Sequence, residues 1–482
     1  QIPEIERKKH LAFAHVNAWV LLLSGEIDQA ESWLRISEEI DTTHVDPMMQ
    51  QQIAANSLAM RSLLTAYRGH FHETLQFGET ALKKFGPDNQ AVRSIITLVM
   101  GDAHRWDGEL DSARDLYEQT ATNSLQAQNY NVLLQAYRSL VSIAFINGHL
   151  HQVDNYLNRV DILFSQQKMT PWLPALGPIF NAKSKLAYER NQLSEALDEW
   201  KKGRDYCEEL SQTVSLVGTY LNGARIQQAN RESQAAQSFL DKARYYIPHN
   251  SHPYSWIVLD RHQVALWIQI NDYANLQYWL ETNTIPEHFM TYAKYFSQHT
   301  RARVLVALAQ SEPGMLHQAH PLLTALAETA HTNGWLGEQL ALLLLQAKVD
   351  YLSNDMDQAQ AALTTALTIG KIQGHIRAFI DEGPIIAELL QKRKTKDRYI
   401  RSLLAHFEEQ LSLHEPFLSD PLSPRELEVL QLIAEGYVNQ EIAGILGIAI
   451  STVKTHINHI FSKLNVQTRA QAIVIGQKLN LL

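Results

Sequence analysis

The chain has 482 residues, 45% of them apolar and 19% charged, with a formal net charge of −9. The length suits roughly three domains of ordinary size, and the globular composition excludes a disordered or collagen-like chain. The acidic balance argues against broad coating of nucleic acid but leaves room for a local DNA-binding module.

A repeat of about forty residues fills most of the chain. It is visible in "LLLSGEIDQAESWL" around Gly25, "TAYRGHFHETLQFGETAL" around Gly69, "HRWDGELDSARDLYEQT" around Gly108 and "AFINGHLHQVDNYL" around Gly148. It continues around Asn191, Arg231, Asn271 and Asn354, and successive marked positions lie 44, 39, 40, 43, 40, 40 and 83 residues apart. The last gap leaves room for one weaker unit near Ser311. In each unit an apolar helical stretch runs into Gly or Asn (Arg231 is the exception), then a few polar residues, then a second helical stretch. Gly and Asn tolerate the left-handed backbone that ends a helix. Small residues follow five positions on (Ala30, Ala113, Ala196, Ala236, Ala359) or twelve positions on (Ala81, Ala243, Ala366), where a second helix presses on the first.

The predicted fold is therefore all-α, with about nine helical hairpins over residues 1–370. One hairpin cannot bury its apolar stripe alone, so hairpins stack into a superhelix with a concave groove, and the Gly and Ala positions resemble the tetratricopeptide (TPR) family. The groove is expected to receive an unknown inducer or a protein. The "TPWLPALGP" stretch (170–178) reads as an ordered bridge between hairpins or as a ligand-contacting loop.

Residues 371–420 form a joint. "RAFIDEGPIIAELL" precedes a basic run in which Lys392, Arg393, Lys394, Lys396, Arg398 and Arg401 outweigh Asp397. The run is either a solvated helix end or linker, or an electrostatic aid to DNA binding or an interdomain latch. Pro416, Pro421 and Pro424 then mark a short stiff linker.

Residues 421–482 read as a DNA-binding module. Ser423, Pro424 and Glu426 make a capping-box helix start. Leu427, Leu430, Ile433 and Ala434 form one apolar face, and Gly436 stops the helix. A short second helix over about 439–446 turns inward Ile442, Ala443 and Leu446, and Gly447 supplies a tight turn. A third helix hides Val453, Ile457, Ile460 and Leu464 and shows Ser451, Lys454, Thr455, Asn458 and Ser462 on its other side. A fourth is capped by Thr468 with Gln471. Two short helices, a Gly turn and an amphipathic third helix describe a helix-turn-helix. On the free edge Lys can bond guanine, Asn can pair with adenine and the Thr methyl can touch thymine.

The pieces "LSPRE", "EIA", "TVKTH", "KLNV" and "TRAQA" stand in the order of the LuxR-type helix-turn-helix, which this segment resembles along its length. The resemblance implies base contacts from Lys454, Thr455 and Asn458, phosphate contacts from Ser451, Thr452 and Arg469, and dimer contacts from the fourth helix. The departures are Val438 and Ala449, where the family commonly has Ser, and Gln440, where it commonly has Lys. From Pro421 onward five Lys and Arg stand against four Asp and Glu. A single module is therefore expected to bind DNA weakly and to need oligomerisation.

Repeats, the "FIDEGP" joint and this module together resemble the MalT-like regulators, the large ATP-binding LuxR-type (STAND-class) family. That resemblance implies a bacterial transcriptional regulator and favours activation, while the residues themselves leave activator or repressor open. It would be cytoplasmic and homo-oligomeric on double-stranded promoter DNA, and would work with RNA polymerase. The family's amino-terminal domain uses ATP. No G-x-x-x-x-G-K-S/T loop occurs here, so no cofactor is expected in this chain and any ATP site would lie in a segment before Gln1. The competing reading is an interaction scaffold with vestigial or regulated DNA binding.

Enzyme and metal chemistry find no foothold. Cys207 is the sole cysteine, which fits a reducing compartment and reads as a packing residue. His317 and His320, and His456 and His459, share helix faces, but no third ligand joins either pair. No apolar run reaches about 18 residues, so no membrane partner is expected. Tryptophans such as Trp19, Trp106 and Trp335 read as packing residues.

Overall fold

The computed structural model describes residues 11–24, 26–41, 46–86, 88–167, 173–247, 253–283, 291–393, 396–412, 422–464, 466, 468–478 and 481–482. Among them every regular element is a helix. The chain divides into two compact units, Gln1–Leu389 and Leu390–Leu482.

Among the described residues of the first unit, nine hairpins follow one another. They are α1 (Leu11–Ser24) with α2 (Ile27–Glu39), α3 (Pro47–Tyr67) with α4 (Phe71–Lys84), and α5 (Gln90–Asp107) with α6 (Leu110–Gln126). Next come α7 (Tyr130–Ile146) with α8 (Leu150–Gln167), α9 (Leu176–Glu189) with α10 (Leu193–Glu209), and α11 (Thr213–Ala229) with α12 (Ser233–Tyr246). The last are α13 (Pro253–Gln269) with α14 (Tyr273–Thr282), α15 (Thr291–Leu308) with α16 (Leu316–Thr332), and α17 (Leu336–Leu352) with α18 (Met356–Gln373). The unit near Ser311 is the eighth hairpin, turned by a short 3-10 segment at Pro313–Met315.

The repeat grammar becomes geometry at the turns. Gly69, Gly108, Gly148, Asn191, Arg231, Asn271 and Asn354 all have positive φ, between 56° and 90°. All eight small positions named from the sequence are fully buried, so the two helices of a hairpin meet where side chains are shortest. Trp200 and Trp335 are buried in the packing. Cys207 is buried too, and burial pushes its thiol up to about 11. Its sulfur lies only 2.3 Å from where a Cβ on Gly177 would stand, so the helix-packing reading of this cysteine holds.

The superhelix curls until its last hairpins meet its middle ones. One hydrophobic core joins Leu98, Tyr117, Leu134, Val153 and Leu186 to Tyr295, Leu305, Leu323, Trp335 and Leu345. At the seam Gly148 faces Gly337: a Cβ on Gly148 would stand 2.9 Å from the Gly337 nitrogen. The domain expected over 1–370 continues, in the same compact unit, into residues 371–389. There Gly374 ends α18, α19 spans Arg377–Ile380, and α20 spans Pro384–Gln391. His375 Nε2 lies 2.9 Å from the Gly148 carbonyl, and the Ile376 amide donates to the Glu189 carbonyl at 3.1 Å. Glu382 sits 2.7 Å from Arg303 and 3.1 Å from Lys348. Residues 375–382 thus fasten hairpins four and five to hairpins eight and nine.

In the second unit come α21 (Arg398–Ser412), α22 (Pro424–Ala434), α23 (Asn439–Leu446), α24 (Ile450–Lys463) and α25 (Arg469–Lys478). Asp397 starts α21 by accepting from the Tyr399 amide at 2.8 Å. Lys394 lies outside the described residues, as do Pro416 and Pro421 of the proline linker.

Candidate nucleic-acid interface

The module's core consists of Leu422, Val429, Leu430, Ile433, Ile442, Ala443, Val453, Ile460, Leu464 and Ala472. On α22 the buried face is turned slightly from the one expected: Val429 is buried while Leu427 and Ala434 are only half-buried. The Ser423 Oγ accepts from the Glu426 amide at 3.3 Å, and Glu426 accepts from the Ser423 amide at 2.7 Å. Gly436 (φ 95°) and Gly447 (φ 63°) take the left-handed backbone that the two tight turns need.

These turns place α24 against α22 and α23 with one edge free. Val453 and Ile460 are buried, Ile457 is half-buried, and Ser451, Thr452, Lys454, Thr455 and Asn458 are exposed. Thr455 Oγ1 donates to the Ser451 carbonyl at 3.1 Å, which holds its methyl in place. Among the described residues no protein group bonds the head of Lys454 or Asn458. No side chain caps the start of α24, because Ala449 has no oxygen.

Arg469 stands apart from the other five. Its guanidinium donates to the Ile433 carbonyl at 3.1 Å and to the Tyr437 carbonyl, so it ties α25 to the first turn of the module. Fewer of its N–H groups remain for a phosphate.

The sequence reading missed how α23 and α24 are held. Glu426 accepts from Lys463 Nζ at 2.8 Å while it closes the capping box, and Arg425 reaches the Leu446 carbonyl at 2.6 Å. Burial works to raise the Glu426 carboxyl, but the bonds from Lys463 and Ser423 outweigh it and hold it below its ordinary value. The capping box was legible; a second task for its glutamate, 37 residues from Lys463, was not.

The inner face of the repeats was also missed. Phe145, Lys185, Arg225, Arg261, His299 and Glu338 come from the first helices of six successive hairpins. Their spacing of 36 to 40 residues is the signal that could have found them. Arg225 lies 3.1 Å from Glu189, and Arg261 is 3.6 Å from Glu338. His299 Nδ1 lies 2.7 Å from Glu338. Lys185 Nζ stands over the Phe145 ring at 4.3 Å. Burial, with the charge of Arg225 beside it, brings Lys185 down to about 8. His262, also on this face, is brought by burial to about 3 while its Nδ1 lies 2.8 Å from the Val258 carbonyl.

Fold and site together define a helical-repeat protein that carries a helix-turn-helix module. Residues 54–396 match the family described as MalT-like TPR region, and residues 420–475 match bacterial regulatory proteins of the luxR family. The chain belongs to the MalT-like TPR family and carries a LuxR-type helix-turn-helix. It is 24% identical to the HTH-type transcriptional regulator MalT of Vibrio campbellii, over 98% of this chain and 55% of that protein. It is 26% identical to MalT of Serratia proteamaculans, over 94% of this chain and 51% of that protein. The chain therefore spans about half the length of these curated relatives. A solved structure of a Rap protein complexed with competence and sporulation factor superposes with a TM-score of 0.57. At 10% identity over 76% of this chain, that likeness is one of fold. No described helix is long and apolar enough to cross a membrane.

Proposed function

We propose that this chain is the signal-receiving and DNA-binding part of a transcriptional regulator. The exposed edge of α24, with Lys454 and Asn458 unengaged beside a buried apolar side, carries the reading. A helix of this width enters the major groove, where Lys454, Thr455 and Asn458 meet base edges. Ser451 and Thr452 stand in the first turn, where backbone amides and the helix dipole favour a phosphate. The relatives' name supports transcriptional control.

The repeats receive an inducer or a protein signal on their inner face. With a net charge of only +1 from Pro421 onward, one module gains little from phosphate neutralisation. Oligomerisation on promoter DNA supplies the remaining affinity, and activation proceeds through RNA polymerase.

The test is a selection of bound DNA sequences with the whole chain, followed by titration of the selected site. Lys454→Ala should cost about 1–3 kcal/mol and relax the preference at one position. Unchanged affinity and preference would favour the scaffold reading instead.

A further inference from the structure

Hairpins five to nine and the "FIDEGP" segment bring an excess of positive charge to one inner face. Lys185, Arg225, Arg261, Arg303, Lys348 and Arg377 face Glu189, Glu338, Asp381 and Glu382. Six cations thus share four carboxylates. The pairing is uneven as well as incomplete. Glu382 takes Arg303 and Lys348, Asp381 takes Arg377 and approaches Arg225 at 3.8 Å, and Glu189 takes Arg225 at 3.1 Å. Arg261 is left with Glu338 at 3.6 Å, a carboxylate already bonded by His299. Lys185 has no carboxylate within ion-pair distance among the described residues, only the face of Phe145.

A half-buried ammonium without a counter-ion is costly, and a second cation beside it raises that cost. A cation kept desolvated, unpaired and next to a loosely paired guanidinium is poised for an anion that arrives from outside. His262 adds a neutral imidazole on the same face.

We propose that the inner face of the repeats binds the oxyanion of a small ligand, a carboxylate or a phosphate group, between Lys185 and Arg261. This rests on the reading that the repeats receive a signal, and names the chemistry of that signal. The unpaired charge of Lys185, with the loosely held guanidinium of Arg261, suits an oxyanion such as a phosphate monoester or a carboxylate. Lys185 contributes a point charge and Arg261 a planar fork, and the ring of Phe145 floors the site.

The test follows thermal unfolding of the whole chain against glucose 6-phosphate, citrate and inorganic phosphate, with glucose as the neutral probe and ionic strength matched. The expected result is a saturable rise in Tm with at least one oxyanion probe and none with glucose. Phosphate and citrate also strengthen burial by exclusion from the surface, so each titration is repeated with Lys185→Met. That variant loses an unpaired charge, so it should fold at least as well as the parent and bind the probe about tenfold or more weakly. Lys185→Arg should recover most of the binding. A response to glucose 6-phosphate but not citrate assigns a phosphate, and the converse assigns carboxylates. No saturable rise with any oxyanion, or equal rises in parent and Lys185→Met, would overturn the site. If the probe binds but leaves DNA affinity unchanged, the site stands and the signal-receiving reading falls.

Discussion

Gly148 and Gly337 meet backbone to backbone at the seam where the curled repeats close. A Cβ on Gly148 would stand 2.9 Å from the Gly337 nitrogen, and one on Gly337 would stand 2.7 Å from the Ile146 carbonyl oxygen. Neither obstacle is the tip of a flexible side chain, so the seam must open to admit a methyl group. Gly337→Ala should destabilise the repeat unit by about 1–3 kcal/mol, the usual cost of overpacking. Gly148→Ala should cost more, because position 148 also has a φ of 67°. Gly314→Ala meets nothing within 4 Å and is the control. Urea midpoints of the three variants decide the matter. Equal midpoints for Gly337→Ala and Gly314→Ala would show that the seam is not a tight contact.

Glu382 links the segment after the repeats to hairpins eight and nine through Arg303 and Lys348. Burial alone would raise its carboxyl, but those two charges outweigh it and bring it to about 2. In the unfolded chain the same group takes its proton near 4.5. Between these values the unfolded state binds more protons, so the stabilisation is full above 4.5 and drains away as pH falls toward 2. Glu382→Gln takes the carboxylate from the buried Lys348 and the half-buried Arg303 and should cost about 3–5 kcal/mol near neutral pH. The gap between parent and variant should narrow as the pH falls through this window, read from urea unfolding at several pH values. A gap independent of pH would mean that Glu382 acts by shape rather than by charge.

The repeat was legible because its punctuation is local. A helix ending in a left-handed turn prefers Gly or Asn, and Gly108, Asn191 and Asn354 announce themselves. The turns between hairpins were less legible: Gln128 and Ser211 also take positive φ, at 54° and 52°, with residues that do not advertise it. There the packing of flanking helices overrides the local preference of the residue. Closure was not legible at all. Gly148 and Gly337 belong to different repeats, and each could pass for an ordinary helix-end or helix-packing glycine. In the module, the buried side of α24 could be read from helical spacing, since Val453, Ile460 and Leu464 are buried. The roles of Arg469 and Lys463 depended on which carbonyls and carboxylates folding brings to them.

Holding the recognition helix and reading DNA are separable tasks in this module. Glu426→Ala removes the reciprocal half of the capping box and the ion pair with Lys463. It should lower the stability of the module by about 1–3 kcal/mol, and weaken DNA binding only through that loss. Lys454→Ala removes an exposed side chain with no protein partner among the described residues, so it should weaken DNA binding and leave the unfolding transition in place. Paired measurements of DNA affinity and thermal unfolding separate the two. If Lys454→Ala lowered Tm as far as Glu426→Ala, the free-edge description of α24 would be wrong.

Ala449 leaves the start of α24 without a side-chain cap. Its φ of −68° and ψ of 147° already have the extended geometry of an N-cap, so a hydroxyl at this position needs no change of backbone. Ala449→Ser should therefore stabilise the module by about 0.5–2 kcal/mol, visible as a higher urea midpoint. The effect on DNA binding has two opposing parts. A firmer first turn fixes Ser451 and Lys454, but the new oxygen also occupies an amide that a phosphate would otherwise use. If the amides at the start of α24 hold a phosphate, the variant gains stability without gaining affinity. A gain in affinity matching the gain in stability would place the phosphate on the Ser451 and Thr452 hydroxyls instead.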